Sequence, residues 1–202
     1  MIAIVVSRAD SASVRIGEHL LDLGDWEARE DDSLPDAEGG GRFYRTGGFE
    51  LRKFDDLHLE IEDAAEVFGH GGTDSDAEPL PSPDLLVFVS RHSGDTGPLL
   101  TAHFTGNFGP AEFGGVDNGL AEACPNAHAR LLAGFEEYAP EGYDVGMECT
   151  HHGPSSVGVP SLFAELGSDE EQWQDPEGAR AVARAVLDLR GAEPHRERQL
   201  GG

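Results

Sequence analysis

Glu148, His151 and His152 place a carboxylate and two imidazoles within five residues, in the segment Glu148-Cys149-Thr150-His151-His152-Gly153-Pro154. Both residue types ligate borderline cations such as zinc, and imidazole also moves protons near neutral pH. The spacing is not that of the helical H-E-x-x-H motif, so no metalloprotease follows from it. A His-His pair alone also suits surface or core decoration; the nearby glutamate and the Gly-Pro turn favour a catalytic or metal-binding role. A second stretch, Ser90-Arg91-His92-Ser93-Gly94-Asp95-Thr96-Gly97 followed by Leu99 to Asn107, adds His92 and His103. Its glycines permit close backbone approach, and Ser90, Arg91, Ser93 and Asn107 can hold phosphate or ribose oxygens. It is not a Walker loop, because the GK[ST] ending is missing. No G-x-S-x-G elbow surrounds Ser90 or Ser93, which argues against a serine nucleophile. His92, His103, Glu148, His151 and His152 are therefore candidate metal ligands or general bases, and the sequence does not sort one role from the other.

The elements that must carry these groups read as an alternation of strands and helices. Ile2 to Val6 is a buried strand, and Asp10 or Ser11 caps a helix with Val14, Leu20 and Leu21 near one face, ending about Leu23 and Gly24. Trp26 to Arg29, Phe43 to Thr46, Phe49 to Phe54 and Leu57 to Ile61 are short candidate strands, while Asp31 to Gly41 and Gly69 to Pro83 read as loops. Asp84 to Ser90 is the clearest strand, its continuous apolar run being what a strand covered on both faces requires. It delivers Ser90, Arg91 and His92 to a carboxyl edge, where ligands of open α/β sheets tend to bind. Pro125 opens a helix to about Tyr138, with Ala129, Leu132 and Phe135 as inward candidates. Tyr143 to Cys149 and Ser161 to Gly167 are further strands. Asp175-Pro176 starts a helix through Ala181, Val182, Ala185, Val186 and Leu189. The expected fold is α/β, a mixed central sheet flanked by helices, in one domain over residues 1–190 with a polar tail over 191–202.

Charge bounds the setting. The 39 acidic and 14 basic residues leave a net charge of −25, and Lys53 is the only lysine. Concentrated counterions screen such self-repulsion, with a Debye length of about 3 Å at 1 M salt, so the composition points to a salt-rich cytoplasm. An acidic interaction protein or partly disordered chain is the bland alternative, and the apolar runs speak against it. No membrane-spanning run or basic leader stands out, and Cys124 and Cys149 do not suggest a disulfide framework.

Taken in order, Ser90-Arg91-His92-Ser93, Leu100-Thr101-Ala102-His103, Gly106-Asn107, Glu148 to Pro154 and Pro160 to Ser168 closely resemble the archaeal and plant type of D-aminoacyl-tRNA deacylase. The resemblance runs from Met1 to about Leu189. It implies a zinc-dependent hydrolase whose sheet is similar to those of peptidyl-tRNA hydrolases and phosphorylases, acting on the ester between a D-amino acid and the terminal ribose of tRNA. It implies zinc held among His103, Glu148, His151 and His152, and substrate contacts from Ser90, Arg91, Ser93, Asn107 and Thr150. Glu165, on the Ser161 strand, is a candidate supporting residue. The implied partner is D-aminoacyl-tRNA, with no membrane, no DNA and a monomeric protein. Two departures accompany it: Cys149 stands where a small or hydroxyl residue is usual, and the family's later Gly-rich segment with a His-Tyr pair does not occur before Gly202. A C-terminally truncated or divergent member is thus one expectation, and a catalytically silent tRNA-end or nucleotide-binding domain, or a metal-dependent hydrolase of another ester or amide, are the alternatives.

Overall fold

In the computed structural model, residues 1–69 and 82–192 are described. They form an eight-stranded mixed sheet in the order β2-β3-β4-β1-β5-β8-β6-β7. The strands are β1 (Ile2–Ser7), β2 (Glu27–Asp31), β3 (Gly41–Thr46), β4 (Phe49–Phe54), β5 (Leu85–Arg91), β6 (Leu99–Phe104), β7 (Asp144–Met147) and β8 (Ser161–Gly167). β4, β1, β5 and β8 run parallel. β6 joins β8 antiparallel and carries β7 parallel to itself.

Helices α1 (Ser11–Leu23), α2 (Pro125–Tyr138), the short α3 (Glu170–Trp173) and α4 (Pro176–Leu187) complete the fold. The apolar sides of α1, α2 and α4 enter one core with Ile4, Val87 and Leu162 from the sheet. The opposite face is covered by turns and loops around Phe54, Ile61, Phe68, Phe88 and Phe163. No helix among the described residues is long and apolar enough to cross a membrane.

Local signals placed most elements. Asp10 caps α1 by accepting from Ala12 N and Ser13 N, and Asp175 with Pro176 opens α4. β8 has the expected bounds, and β5 is buried along its length apart from its last residue. Four expectations change. Leu57 to Ile61 is not a strand but a single 3-10 turn at His58–Glu60; both edges of β1 are already taken by β4 and β5, so the segment cannot pair with β1. On α1 the inward stripe is Ala12, Ile16 and Leu20, spaced by four, whereas Val14 and Leu21 are half-buried at its flanks. On α2 it is Ala127, Leu131, Gly134 and Phe135, with Ala129 exposed and Leu132 half-buried. Gly134 lets α4 come close: a Cβ there would stand 2.8 Å from that of Ala185. β7 is shorter than the expected span of Tyr143 to Cys149, because β6 offers it partners only from Leu99 to Ala102. Most of the Gly69 to Pro83 segment and the tail beyond residue 192 lie outside the described residues. Cys124 and Cys149 are both free thiols.

One charged cluster is built into the interior. The Arg52 guanidinium is fully buried, donating to Glu50 Oε1 at 2.6 Å, to Asp31 Oδ2 at 2.8 Å and to Gly39 O at 2.8 Å, with the Phe43 ring 4.2 Å away. Removing one partner of such a group strands the others without solvent. Arg52→Ala is expected to lower unfolding free energy by about 3–5 kcal/mol, and still to do so in molar salt, where surface pairs are screened. Denaturant titration at low and high salt checks this; a loss below about 1 kcal/mol would put the cluster in the class of surface pairs.

Candidate active site

Side chains alternate along a strand, so β8 sends Leu162, Ala164 and Leu166 into the helix-side core and Phe163 and Glu165 to the other face. Pairing then fixes what meets them. Ser90 of β5 and Thr101 of β6 lie opposite Glu165, and His103 of β6 lies opposite Phe163. The site therefore sits on the sheet face over β5, β8 and β6, as well as at the carboxyl edge expected for it. The antiparallel entry of β6 is what brings His103 there.

Glu165 is 2% exposed, and a buried carboxylate must find partners. Its Oε1 accepts from Ser90 Oγ at 2.7 Å and faces His103 Nε2 at 3.6 Å and His152 Nε2 at 3.9 Å. Its Oε2 lies 3.7 Å from His92 Nδ1, which is also 3.1 Å from Glu148 Oε1. Burial pushes the Glu165 carboxyl up, but the His103 and His92 imidazoles outweigh it and hold the group well below the usual carboxylate range. The Ser90 hydroxyl is committed to this carboxylate.

The three other imidazoles close on one another. His103, His151 and His152 have ring centroids 4.6 to 4.7 Å apart. Each Nδ1 is within hydrogen-bond reach of a backbone carbonyl: Phe104 O at 2.8 Å for His103, Cys149 O at 2.7 Å for His151 and Gly153 O at 3.0 Å for His152. A carbonyl can only accept, so Nδ1 carries a proton in each ring, which leaves Nε2 as the ligand atom when the ring is neutral. Burial works against the charged form of His103, but the Glu165 carboxylate beside its Nε2 raises its pKa. Each of these residues can offer one ligand atom within 4.8 Å of the others, and His92, Glu148 and Glu165 form a second such group. His103 Nε2 and His92 Nε2 are buried without a hydrogen-bond partner. Nδ1–H bonded to a carbonyl is the support that metal-ligating histidines usually have, so the first triad fits a zinc ion by its chemistry. Burial lowers the His152 pKa to about 4, helped by His103, so its Nε2 lone pair stays available in mildly acidic solution.

A cavity of about 460 Å³ opens onto these groups, lined by Ser90, Arg91, His92, Ser93, His151, His152 and Glu165. Arg91 lies 5.1 Å over the Trp173 ring, and Trp173 Nε1 donates to His92 O. Gly167 leaves room for His92, since a Cβ there would come within 2.7 Å of its ring. Glu148 stands beside His92, outside the lining of the cavity. Asn107 is placed differently from the expectation. It is 2% exposed, and its amide donates to Gly114 O at 2.9 Å, so it shapes the loop from 107 to 120 instead of facing the cavity. Thr150 is half-buried and does not line the cavity. The loop itself exposes Phe108, Phe113, Val116 and Leu120, and Phe113 reaches the cavity.

Sequence reasoning missed Asp10, Leu57, His58, Leu59 and Phe113, which also line the cavity. Asp10 was legible only as a helix cap, yet its Oδ2 accepts from Arg91 N at 2.9 Å and lies 3.9 Å from His58 Nδ1. His58 Nε2 is 3.3 Å from Ser13 Oγ. The three residue types are those of a nucleophile triad, but Ser13 is fully buried, its hydroxyl accepts from Ser7 N, and burial drives the His58 pKa down.

The comparisons with known proteins converge. A family model described as D-aminoacyl-tRNA deacylase matches residues 80–201. The D-aminoacyl-tRNA deacylase of Halorubrum lacusprofundi is 64% identical over 198 residues, covering 96% of this chain and 40% of that protein. That of Natronomonas pharaonis is 59% identical over 202 residues, covering 100% and 43%. That of Methanococcoides burtonii is 41% identical over 197 residues, covering 94% and 38%. The chain thus spans about two-fifths of the length of these curated relatives. A crystal structure of a conserved protein of unknown function matches with a TM-score of 0.79 and 31% identity, over 96% of this chain and 64% of that one. A futalosine hydrolase mutant of Helicobacter pylori, with a TM-score of 0.52 and 10% identity over 94% and 98%, shares the fold alone.

Hydrogen bonding to Glu148 and Glu165 outweighs burial and raises the His92 pKa to about 9, so this imidazole holds its proton through neutral pH. Because the folded midpoint lies above the ordinary 6.5, the associated stability is complete below about 6.5 and lost as pH rises through about 9. In metal-free protein, Glu148→Gln should move the His92 midpoint down toward 6.5 and flatten that stretch of the stability curve. NMR titration of the ring protons reads the midpoint; one that stays near 9 would mean Glu148 is not what holds the proton.

Proposed function

Since the chain belongs to the D-aminoacyl-tRNA deacylase family, we propose that it hydrolyses the ester joining a D-amino acid to the terminal ribose of tRNA, releasing the free amino acid and reusable tRNA. The observation that carries this reading is the set of three imidazoles that can each offer a ligand atom within 4.8 Å of the others, each with its Nδ1 against a backbone carbonyl, next to a buried carboxylate at the wall of a cavity.

His103, His151 and His152 would hold a zinc ion through Nε2. Zinc in that position would supply Lewis acidity, polarising the ester carbonyl and acidifying the attacking water. The remaining steps belong to this chain's own residues. Glu165 keeps His103 and His152 in place and takes the Ser90 hydroxyl out of play as a nucleophile. Water gives up a proton to solvent as its oxygen adds to the carbonyl carbon, the bond to the ribose oxygen breaks, and that oxygen takes up a proton as it leaves. His92, at the wall of the cavity and kept protonated by Glu148 and Glu165, supplies it and regains a proton from solvent. Arg91 and Ser93 on the cavity rim suit the ribose and its phosphate, the guanidinium offering a fork of donors. Leu57, Leu59 and Phe113 give the cavity an apolar surface for the amino-acid side chain. The acidic surface fits a cytoplasm rich in salt.

The test is incubation in molar KCl with labelled D-tyrosyl-tRNA and L-tyrosyl-tRNA, with and without a chelator. Release from the D form alone, abolished by chelation and restored by zinc, is expected. His152→Ala should cut turnover by roughly 100-fold or more. Binding without release would leave a silent tRNA-end domain, and equal treatment of both tRNAs would remove the chiral reading.

A further inference from the structure

Seating the aminoacyl ester in the cavity raises the question of where the rest of the RNA strand goes. A second hollow of about 420 Å³ lies beside the first, lined by Arg8, Ser11, Arg15, Glu18 and Gln174 among others. The turn from Arg8 to Ser11 is the wall between them, because Asp10 faces the first hollow and Arg8 and Ser11 face the second. The rim is continuous as well. Arg91 at the first hollow stacks on Trp173, and the next residue, Gln174, accepts from Arg15 Nη2 at 2.6 Å in the second.

Charge pairing marks the same rim. With 39 acidic residues to 14 basic ones, arginines here find carboxylates readily, as Arg29, Arg42, Arg45 and Arg52 do. Among the described residues, the half-buried arginines with no carboxylate at ion-pair distance are Arg15 and Arg91. Arg15 Nε is buried and has no hydrogen-bond partner, a desolvation cost that an anionic ligand would offset. Arg8 is shared with Asp36 at 2.9 Å and Asp55 at 2.6 Å, and Glu18 lines the same hollow, so these groups carry no net positive charge to draw an anion from a distance. Recognition must then come from directional guanidinium–phosphate bonds, which suits a solvent in which long-range attraction is screened.

We propose that Arg15, with Arg8 beside it, grips a backbone phosphate of the single-stranded RNA end whose terminal aminoacyl nucleotide occupies the reactive cavity, so that the strand leaves past Arg91 and Trp173. The proposal rests on the deacylase reading for the terminal residue but is tested separately from it. An unacylated, labelled RNA oligonucleotide with the tRNA 3′-terminal sequence is titrated in molar KCl against the protein and its Arg15→Gln, Arg15→Lys and Phe108→Ser variants, with melting curves to show that each is folded. Arg15→Gln should weaken binding by roughly tenfold and Arg15→Lys by less. The same Arg15→Gln protein should cleave a D-amino-acid ester of adenosine, which lacks that phosphate, with unchanged kcat/KM. Undiminished RNA binding overturns the proposal, as does an equal loss on the adenosine ester, which would mean that Arg15 acts through the fold. Weakening by Phe108→Ser and not by Arg15→Gln would send the strand over the apolar loop instead. If the unaltered protein cleaves neither ester, the deacylase reading fails, and the RNA titration still decides the path of the strand.

Discussion

A carboxylate placed on the inner face of a β-sheet has to be neutralised where it stands, and Glu165 imposes that requirement on everything around it. It sits in the middle of β8, so its partners must come from the neighbouring strands and from the loops that cover the same face. Ser90 supplies a hydroxyl from β5, His103 an imidazole from β6, and His92 and His152 reach in from the segments that follow β5 and β7. The carboxylate lies between the two groups of possible ligands: it belongs to one and faces two histidines of the other. An apolar residue in its place would remove the second of the two carboxylates that raise His92, after Glu148, and the acceptor that holds Ser90.

The mixed topology is what makes this arrangement possible. A parallel β6 would put its carboxyl end beside that of β8, whereas the antiparallel pairing sets His103 beside Phe163 and points the chain back toward the loop at 149–154. Among the described residues, the helices cover the opposite face of the central strands, through the core built on Ile16, Leu131 and Val182. The face that carries the candidate site is lined by loops and 3-10 turns, whose side chains shape a cavity. The chain's charge is handled in two ways. Surface carboxylates are left to the solvent or to exposed pairs such as Arg42 with Glu30, while interior ones, Asp31 and Glu50 on Arg52 and Glu165 among the imidazoles, are met by specific partners that salt cannot replace.

Much of this was legible in the residues. The uninterrupted apolar run of β5, the caps at Asp10 and Asp175 and the strand at Ser161–Gly167 carry their own signals. So do the histidine-bearing stretches, because their residue types are costly to bury without a purpose. What was not legible depends on three-dimensional proximity. Nothing local distinguishes His58 in Leu57-His58-Leu59 from an alternating strand; its role appears only once β1 is seen to have no free edge. Asp10 reads as a helix cap and is one, but its second oxygen serves Arg91, 81 residues away. Asn107 has the right chemistry for ribose and is spent on its own loop. Glu165 was visible as a glutamate in a strand, and its central place follows from the register of β8 with β5 and β6.

In the proposed reaction His103, His151 and His152 would form one nitrogen-donor site. X-ray absorption at the zinc edge, on protein loaded with one equivalent of zinc, tests it most directly. Three imidazole nitrogens at about 2.0–2.1 Å are predicted, with one of them lost in His103→Asn. A shell of oxygen donors alone, or the same three nitrogens in that variant, would contradict the account.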